Sequence, residues 1–288
     1  MMLYMSVFDN EKYRQMELVP GEYVPDLGLD YPTDDPLFRM RPITPVRSYK
    51  NDSSYPFLND SLAFKLKRNF VYFLVDVPLR LVLRLKHGVR IEGKDILKKH
   101  RKLLSKGIIT VSNHIFPLDA LCIRMATGRR MWIPMLPDLF ESKDWWLLTH
   151  LGGIPLADGS LSATKKFNAA FDELNRRGQA VHIFPEARSW LYYKPLRPFM
   201  KGAFTMSYKW ACPIIPICLA YRPRTGIYKL FGKPEIPLIT VRIGEPIIPD
   251  TSVPRKIEVD RLCEEAHKTI CRLGGILKNP WPSVLNEN

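Results

Sequence analysis

Strand-like and helix-like runs alternate along this chain from residue 106 onward, and no other feature limits its fold so strongly. The clearest helix-like run is 162–178, in which Phe167, Ala170, Phe171 and Leu174 recur at helical spacing before Gly178. Further helix-like runs occupy 117–126, 142–153, 201–211 and 258–272, and strand-like runs occupy 106–112, 130–136, 179–184, 213–221 and 238–246. This alternation predicts an α/β fold, a mostly parallel mixed sheet flanked by helices.

The first 60 residues differ in composition from the rest. Prolines and acids are frequent between residues 17 and 60, and neither a helical nor an alternating period is visible there. We therefore predict an extended, proline-rich arm at 1–60, ordered only where it lies against the body. A helical segment at 61–90 and one α/β domain at 91–288 complete the predicted division.

Charge is unevenly distributed between the arm and the body. The arm carries 6 Lys+Arg and 10 Asp+Glu, a net charge of −4, so the chain's net +14 leaves +18 on the remaining residues. Such a body attracts an anionic partner: nucleic acid, an anionic membrane surface or a phosphorylated substrate. We predict no nucleic-acid partner, because zinc-finger spacing, an aromatic-basic RNA motif and a recognition-helix pattern are all missing from the sequence.

The cysteines and histidines show no disulfide or metal-binding pattern. Five cysteines are an odd number, and they lack close paired spacing, which favours a reducing compartment. The histidines lack metal-ligand spacing, so we predict no metal and no bound cofactor. A basic segment followed by an apolar core and a cleavage site is also missing, so a secretory signal is not predicted.

Residues 66–86 form an apolar run that Asp76, Arg80 and Arg84 interrupt. The run therefore falls short of the roughly 20 apolar residues that a membrane span needs. We favour an amphipathic helix that lies on the membrane, with apolar groups among acyl chains and cations at anionic headgroups. Those cations are Lys65, Lys67, Arg68, Arg80, Arg84 and Lys86. A buried helix with charged ends is the alternative, and the sequence alone does not decide whether the segment spans or lies on the membrane.

A histidine and an aspartate interrupt the apolar stretch VSNHIFPLDA at 111–120. They fall where a strand gives way to a helix whose first turn is predicted to contain Pro117, and α/β proteins place ligands at such strand ends. The turn could bring the Asp119 carboxylate to His114, fix the imidazole tautomer and leave the other ring nitrogen free to accept a proton. The alternative is a helix-capping Asp119 beside a turn histidine.

Three later segments follow NHIFPLD in a fixed order. They are GGIPLAD at 152–158, FPEARS at 184–189 and CPIIPI at 212–217, the last preceded by FMKGAF at 199–204. Together the four resemble the ordered blocks of the glycerolipid acyltransferase family, which contains lysophosphatidate and glycerol-3-phosphate acyltransferases. The resemblance covers about residues 80–250.

The resemblance implies a direct acyl transfer. In this family the block histidine is the general base and the aspartate orients it, roles that carry over to His114 and Asp119. The acyl donor is a thioester of coenzyme A or acyl carrier protein, which acts as a substrate, and no acyl-enzyme forms. The family's third block binds the acceptor's glycerol and phosphate, roles that carry over to Glu186 and Arg188.

Two departures from the family pattern concern the acceptor. The third block usually reads FPEGTRS, whereas FPEARS is one residue shorter and has Ala187 where glycine is expected. A surface salt bridge between Glu186 and Arg188 is the alternative for this block. The second block lacks its usual arginine; the cations that could replace it, or simply form a solvated face, are Lys165, Lys166, Lys194, Arg197 and Lys201. Among these, Lys201 is the predicted substrate-binding residue.

These observations predict an enzyme that transfers a fatty acyl group from a thioester to a hydroxyl of lysophosphatidate or a related lysophospholipid. We expect it to be membrane-associated, with its active site facing the cytoplasm and an anionic membrane surface as its partner. The alternative is a non-catalytic, peripheral lipid-binding protein. A hydrolase is disfavoured because the chain contains no GxSxG elbow.

Overall fold

The computed structural model describes residues 6–285, apart from the side chains of residues 76 and 77. Two predictions therefore lie partly outside the described residues. One concerns residues 1–5 of the arm, and the other concerns the side chain of Asp76 in the apolar run.

A seven-stranded sheet forms the centre of the protein. Its strands, in spatial order, are β2 (Arg90–Glu92), β8 (Leu238–Ile243), β7 (Ile214–Arg222), β3 (Ile108–Ser112), β6 (Ala180–Ile183), β4 (Met131–Met135) and β5 (Gly153–Pro155). The β7–β8 pair is antiparallel and the other pairs are parallel. A separate antiparallel pair joins β1 (Glu17–Leu18) to β9 (Ile276–Lys278). The predicted mostly parallel mixed sheet is confirmed.

Helices cover both faces of this sheet. The helices of the described residues are α1 (Glu11–Arg14), α2 (Leu62–Leu85), α3 (Lys94–Lys99), α4 (Arg101–Leu104), α5 (Asp119–Thr127), α6 (Trp145–His150), α7 (Leu161–Arg176), α8 (Gly202–Trp210) and α9 (Arg255–Leu273). Three 3₁₀ turns occupy Val7–Asp9, Pro137–Glu141 and Gly226–Phe231. The predicted start of α5 is wrong by a few residues, because Pro117 lies in the turn before the helix, which begins at Asp119.

The central strand β3 shows why the layers form. All five of its residues are buried, as expected for a parallel strand that is covered on both faces. Ile108 packs in a cluster with α5 and with Leu83 of α2, whereas Ile109 packs in another cluster with α8 and α9. Because successive side chains of a strand point to opposite faces, α5 and α9 lie on opposite sides of the sheet.

Helix α7 follows its sequence pattern. Ser160 precedes the helix, and its side chain accepts a hydrogen bond from the N–H of Ala163. The periodic residues Phe167 and Phe171 are buried in a third cluster that includes Val181 of β6. The predicted amphipathic helix is therefore present and buries its apolar face against the sheet.

The described part of the arm, residues 6–60, lies against the body and contains little regular structure. Tyr13 and Tyr31 are buried in an aromatic cluster with Trp190, Tyr193 and Trp281. The Tyr31 hydroxyl donates to the carbonyl of residue 191 at 2.6 Å. The burial of these aromatic side chains orders the arm, although its sequence has no regular period. The division of the chain into domains stays a prediction.

Helix α2 buries one stripe and exposes another. Val71, Tyr72 and Leu83 are at most 4% exposed and anchor the helix to the body. The exposed apolar residues of α2 are Leu62, Leu66, Phe70, Phe73, Leu74, Leu81, Val82 and Leu85. Within residues 6–285, α2 and the other helices are either too short or too polar to cross a membrane.

Candidate active site

The carboxyl end of β3 carries the candidate catalytic loop. Asn113 follows the strand and binds the main chain of Leu219 on β7 twice, donating to its carbonyl at 3.0 Å and accepting from its N–H at 2.8 Å. This pair of bonds fixes where the chain leaves the sheet, and the next residue is His114. Sequence reasoning missed Asn113, although an amide directly after a buried strand could have indicated such an anchor.

The predicted meeting of His114 and Asp119 occurs. Nδ1 of His114 lies 2.9 Å from Oδ2 of Asp119, and the same oxygen accepts the N–H groups of Ile115 at 2.7 Å and Phe116 at 2.9 Å. Three donors thus converge on one carboxylate oxygen, which holds the loop and the imidazole together. The carboxylate on Nδ1 favours the tautomer in which Nδ1 carries the proton and Nε2 is the free acceptor.

The Asp119 carboxylate is buried inside the protein, with 1% of its side chain exposed. Burial raises the pKa of this carboxyl, and the hydrogen bond and charge of His114 oppose that rise. Its second oxygen, Oδ1, has no hydrogen-bond partner among residues 6–285.

The imidazole of His114 is held by stacking as well as by hydrogen bonding. Its ring lies 3.9 Å from that of Phe184, at an interplanar angle of 15°. About a quarter of the side chain, 24%, is exposed, and within the described part of the chain no group is hydrogen-bonded to Nε2. This nitrogen can therefore receive a proton from a ligand that enters from solvent.

Glu186 supports the loop from behind instead of facing solvent. It is 3% exposed; Oε2 accepts the His114 N–H at 2.7 Å, and Oε1 accepts the Arg197 N–H at 2.8 Å. Oε1 also lies 3.4 Å from Nε of Arg197, which is itself 1% exposed. The alternative of a surface salt bridge to Arg188 is therefore wrong. The predicted contact with acceptor hydroxyls does not fit a carboxylate whose two oxygens are engaged inside the protein.

Arg188 follows a strained residue of the third block. Ala187 has a φ of 62°, a left-handed conformation that glycine adopts more easily. The Arg188 side chain is half-buried, and burial, followed by the charge of Arg39, lowers its pKa. Nη1 of Arg188 is buried and has no hydrogen-bond partner among residues 6–285.

The arm takes part in holding this block. The Trp190 indole donates to the carbonyl of residue 38 at 2.9 Å, and Arg197 donates to the carbonyl of residue 36 at 2.8 Å. Arg197 also donates to the carbonyl of Arg188. The arm residue Arg39 is paired with Asp138 close by. No sequence signal indicated that the arm reaches the third block.

The other predicted cations do not converge on His114. Lys201 lies 2.6 Å from Asp260 of α9, and its role in acceptor binding stays a prediction. Lys194 is buried, pairs with Glu22 at 3.1 Å and donates to the carbonyl of residue 274. Arg197 is the buried partner of Glu186, and Lys165 and Lys166 are exposed on α7.

His182 lies beneath the site but belongs to the core. Nδ1 is 2.8 Å from the Thr110 hydroxyl, and the ring contacts Phe184 edge-on at 4.3 Å. Burial, with the charge of His114 second, lowers its pKa to about 3. His182 is therefore a hydrogen-bonded residue of the core.

The described residues offer no metal-binding cluster. Within residues 6–285, three or more His, Cys, Asp or Glu side chains do not gather in a position to hold an ion, and all five cysteines are buried as free thiols. The geometry around His114 is suited to proton transfer at Nε2, because Nδ1 faces the Asp119 carboxylate.

Fold and site together define a class: an α/β protein with a carboxylate-held histidine at the carboxyl end of a central parallel strand. Residues 88–220, which contain this site, match the family model described as Acyltransferase. This match supports the acyltransferase family predicted from the four blocks.

A solved structure is also similar to this chain. The chain is similar to the crystal structure of the 1-acyl-sn-glycerophosphate (LPA) acyltransferase, PlsC, from Thermotoga maritima, with 18% sequence identity and a TM-score of 0.47. The similarity covers 75% of this chain and 83% of that chain. A comparison with curated proteins finds no match.

Proposed function

We propose that this acyltransferase moves a fatty acyl group from an acyl thioester to a free hydroxyl of lysophosphatidate or a related lysophospholipid, with His114 as general base and Asp119 as its orienting partner. The observation that carries the proposal is the 2.9 Å contact between Nδ1 and the buried carboxylate, which leaves Nε2 as the accessible proton acceptor. A non-catalytic lipid-binding protein has no need of a buried anion behind an exposed imidazole.

The proposed reaction has two steps. Nε2 of His114 removes the proton of the acceptor hydroxyl while its oxygen attacks the thioester carbonyl, and Asp119 stabilises the imidazolium that forms. The tetrahedral intermediate then collapses, the carbon–sulfur bond breaks, and the leaving thiolate takes the proton from His114. The N–H groups of residues 114–116 are already bound by Glu186 and Asp119, so other donors must stabilise the oxyanion.

Arg188 is the proposed contact for the acceptor's phosphate. Its unpartnered Nη1 is a guanidinium donor in the third block, and a guanidinium binds phosphate oxygens in a planar fork. For Glu186 we propose a supporting role: its carboxylate holds the main chain of His114 and the side chain of Arg197. The donor is proposed to be acyl-CoA or acyl-acyl carrier protein, used as a substrate, with no cofactor bound.

The test is turnover by the purified protein with each labelled donor and a panel of acceptors: glycerol 3-phosphate, lysophosphatidate, lysophosphatidylcholine and lysophosphatidylglycerol. We expect transfer to one or more lysophospholipids, and a loss of about 10³-fold or more in kcat for His114→Gln, the range typical of general-base catalysis. His100→Gln is the matched control, since His100 pairs with Glu245 at the surface. Undiminished turnover by the His114 variant would overturn the assignment.

We also propose that α2 attaches the protein to an anionic membrane, with the active site on the cytoplasmic side. Its exposed residues Phe70 and Phe73 are 61% and 72% exposed, which is unusual for phenylalanine on a soluble surface. Deleting the helix would remove buried residues such as Tyr72, so surface substitutions are the cleaner test. Phe70→Ser with Phe73→Ser should weaken cosedimentation with anionic vesicles while thermal unfolding is unchanged, and equal binding would contradict the proposal.

A further inference from the structure

The 3₁₀ turn Gly226–Phe231, in the connection between β7 and β8, exposes large apolar side chains. Ile227 is 66% exposed, Leu230 is 81% exposed and Phe231 is 43% exposed. Single exposed apolar residues are ordinary, but three within five positions at the tip of a connection are not. Neither the four sequence blocks nor the proposed chemistry uses this turn.

A buried arginine joins the turn to the end of α2. Arg224 is 5% exposed, and its guanidinium donates to three main-chain carbonyls. Nη2 reaches Lys86 at 3.0 Å, Nη1 reaches Tyr228 at 2.8 Å, and Nε reaches Ile236 at 2.9 Å. Arg224 therefore holds the turn and the rest of the β7–β8 connection against the end of α2.

Exposed apolar and basic residues meet at this junction. The last turns of α2 expose Leu81, Val82 and Leu85, which are 57%, 40% and 47% exposed. The exposed cations of the two segments are Arg84, Lys86, Lys229 and Lys233. Apolar side chains flanked by cations suit the boundary between acyl chains and anionic headgroups.

The charge and shape of the turn indicate whether it contacts a second copy of the chain, a peptide or a lipid bilayer. A second copy of the chain would bring another net charge of +14 against a basic surface, which disfavours self-association. The side chains protrude from a turn instead of lining a groove, so they suit insertion into a fluid phase better than docking of a peptide. An anionic lipid bilayer satisfies both conditions.

We propose that the turn Gly226–Phe231 is a second membrane-inserting element, which places Ile227, Leu230 and Phe231 among lipid acyl chains beside the end of α2. The proposal rests on the proposed membrane association of α2 and extends it from one helix to two clamped segments. Two attached segments fix the rotation of the body about the helix, which a single helix does not.

The attached end lies beside the catalytic loop. His87, in the segment directly after α2, is buried, and its ring lies 4.7 Å from that of Phe116. The N–H of Phe116 is one of the three donors to Asp119. The membrane contact would therefore bring the bilayer next to the loop that carries His114, from the side at which a lysophospholipid leaves the membrane.

The experiment compares two double variants of the full chain. Ile227→Ser with Leu230→Ser removes the proposed insertion, and Ile257→Ser with Leu277→Ser removes the same residue types, 62% and 67% exposed, from α9 and β9. With vesicles of phosphatidylcholine and phosphatidylserine, we expect the first pair to lower the partition coefficient about 10-fold or more, and the second pair to leave it unchanged. Thermal unfolding should be the same for both.

A labelled residue reports insertion directly. All five native cysteines are buried, so Leu230→Cys can carry an environment-sensitive fluorophore at one exposed thiol. We expect a blue shift, and quenching by brominated lipid, when anionic vesicles are added, and neither for Ile257→Cys. Unchanged partitioning of the first pair, or a label that stays in water while the protein is vesicle-bound, would overturn the proposal. A difference in sedimentation coefficient between the parent protein and the first pair, without vesicles, would also overturn it, because it would indicate that the turn contacts a second copy of the chain. These readouts are independent of turnover, so failure of the catalytic assignment is recognised separately.

Discussion

Replacing Asp119 by asparagine tests whether the charge of this carboxylate stabilises a protonated His114 during the proposed reaction. The substitution keeps the shape of the side chain and removes its charge. An asparagine oxygen at the Oδ2 position can still accept from His114, Ile115 and Phe116, because all three donors converge on that atom. The loop and the imidazole tautomer should therefore survive, and the change isolates the charge.

The magnitude follows from the geometry. With Nδ1 and Oδ2 2.9 Å apart, the charge centres of the imidazolium and the carboxylate are about 4 Å apart. At an effective dielectric constant of about 20, that separation corresponds to roughly 4 kcal/mol. Since about 1.4 kcal/mol is a factor of ten in rate, kcat should fall about 10³-fold with KM little changed.

Stability should change much less than the rate. The amide nitrogen would occupy the Oδ1 position, where no partner is present among residues 6–285, at a cost of about 1–3 kcal/mol. Against this, burial raises the pKa of Asp119, so its ionised form already opposes folding and its removal offsets part of the cost.

The assay is steady-state transfer from labelled acyl-CoA, together with urea unfolding of the same preparation. Asp172→Asn serves as the control, because Asp172 pairs with Lys209 on the surface away from the site. A kcat within about 10-fold of the parent protein would refute the claim that the buried carboxylate stabilises an imidazolium in the transition state.

Three further predictions concern stability. Burial lowers the pKa of His267 to about 4, below its ordinary 6.5, so stability that is present above pH 6.5 should be lost as the pH falls towards 4. In urea unfolding, this residue should make the free energy of unfolding about 2 kcal/mol lower at pH 5 than at pH 7.5. The variant His267→Leu should not show this loss. Glu186→Gln leaves the Arg197 guanidinium buried without an anion, so unfolding free energy should fall by about 3 kcal/mol, and a change below about 1 kcal/mol would contradict the pairing. Gly152→Ala places a Cβ 2.2 Å from a main-chain oxygen of β4, so it should cost at least about 2 kcal/mol more than Gly128→Ala, where φ is also positive but the space is open; equal losses would exclude the contact as the cause.

Local patterns in the chain were sufficient to predict the layers. The apolar run of β3 and the helical repeat of α7 depend on neighbours a few residues away, so their periodicity is readable before any tertiary contact is known. The start of α5 was less readable, since Pro117 suits either the first turn of a helix or the turn before it. The course of the arm could not be predicted, because its order depends on aromatic contacts with residues more than 150 positions away, such as that of Tyr31 with Trp190.

Partners close in sequence were also predictable in the site. His114 and Asp119 are five residues apart, so one turn of chain decides whether they meet, and the strand-to-helix transition favoured it. Glu186 lies in the third block and Arg197 lies beyond it, and both were predicted as candidates for contact with the acceptor. Their burial reverses that interpretation, and burial depends on how the whole segment 184–197 folds back over the loop.

The sequence by itself determined the α/β alternation, indicated the acyltransferase family and singled out His114 and Asp119 as the proposed proton-transfer pair, because each depends on spacing along the chain. Only the tertiary structure decided that Glu186 holds the catalytic loop from within, that Lys201 pairs with α9 and that Arg224 joins the 3₁₀ turn to α2. These contacts join residues from about 60 to 140 positions apart. Such distances are closed by burial of apolar surface and pairing of charge throughout the fold, which no local pattern records.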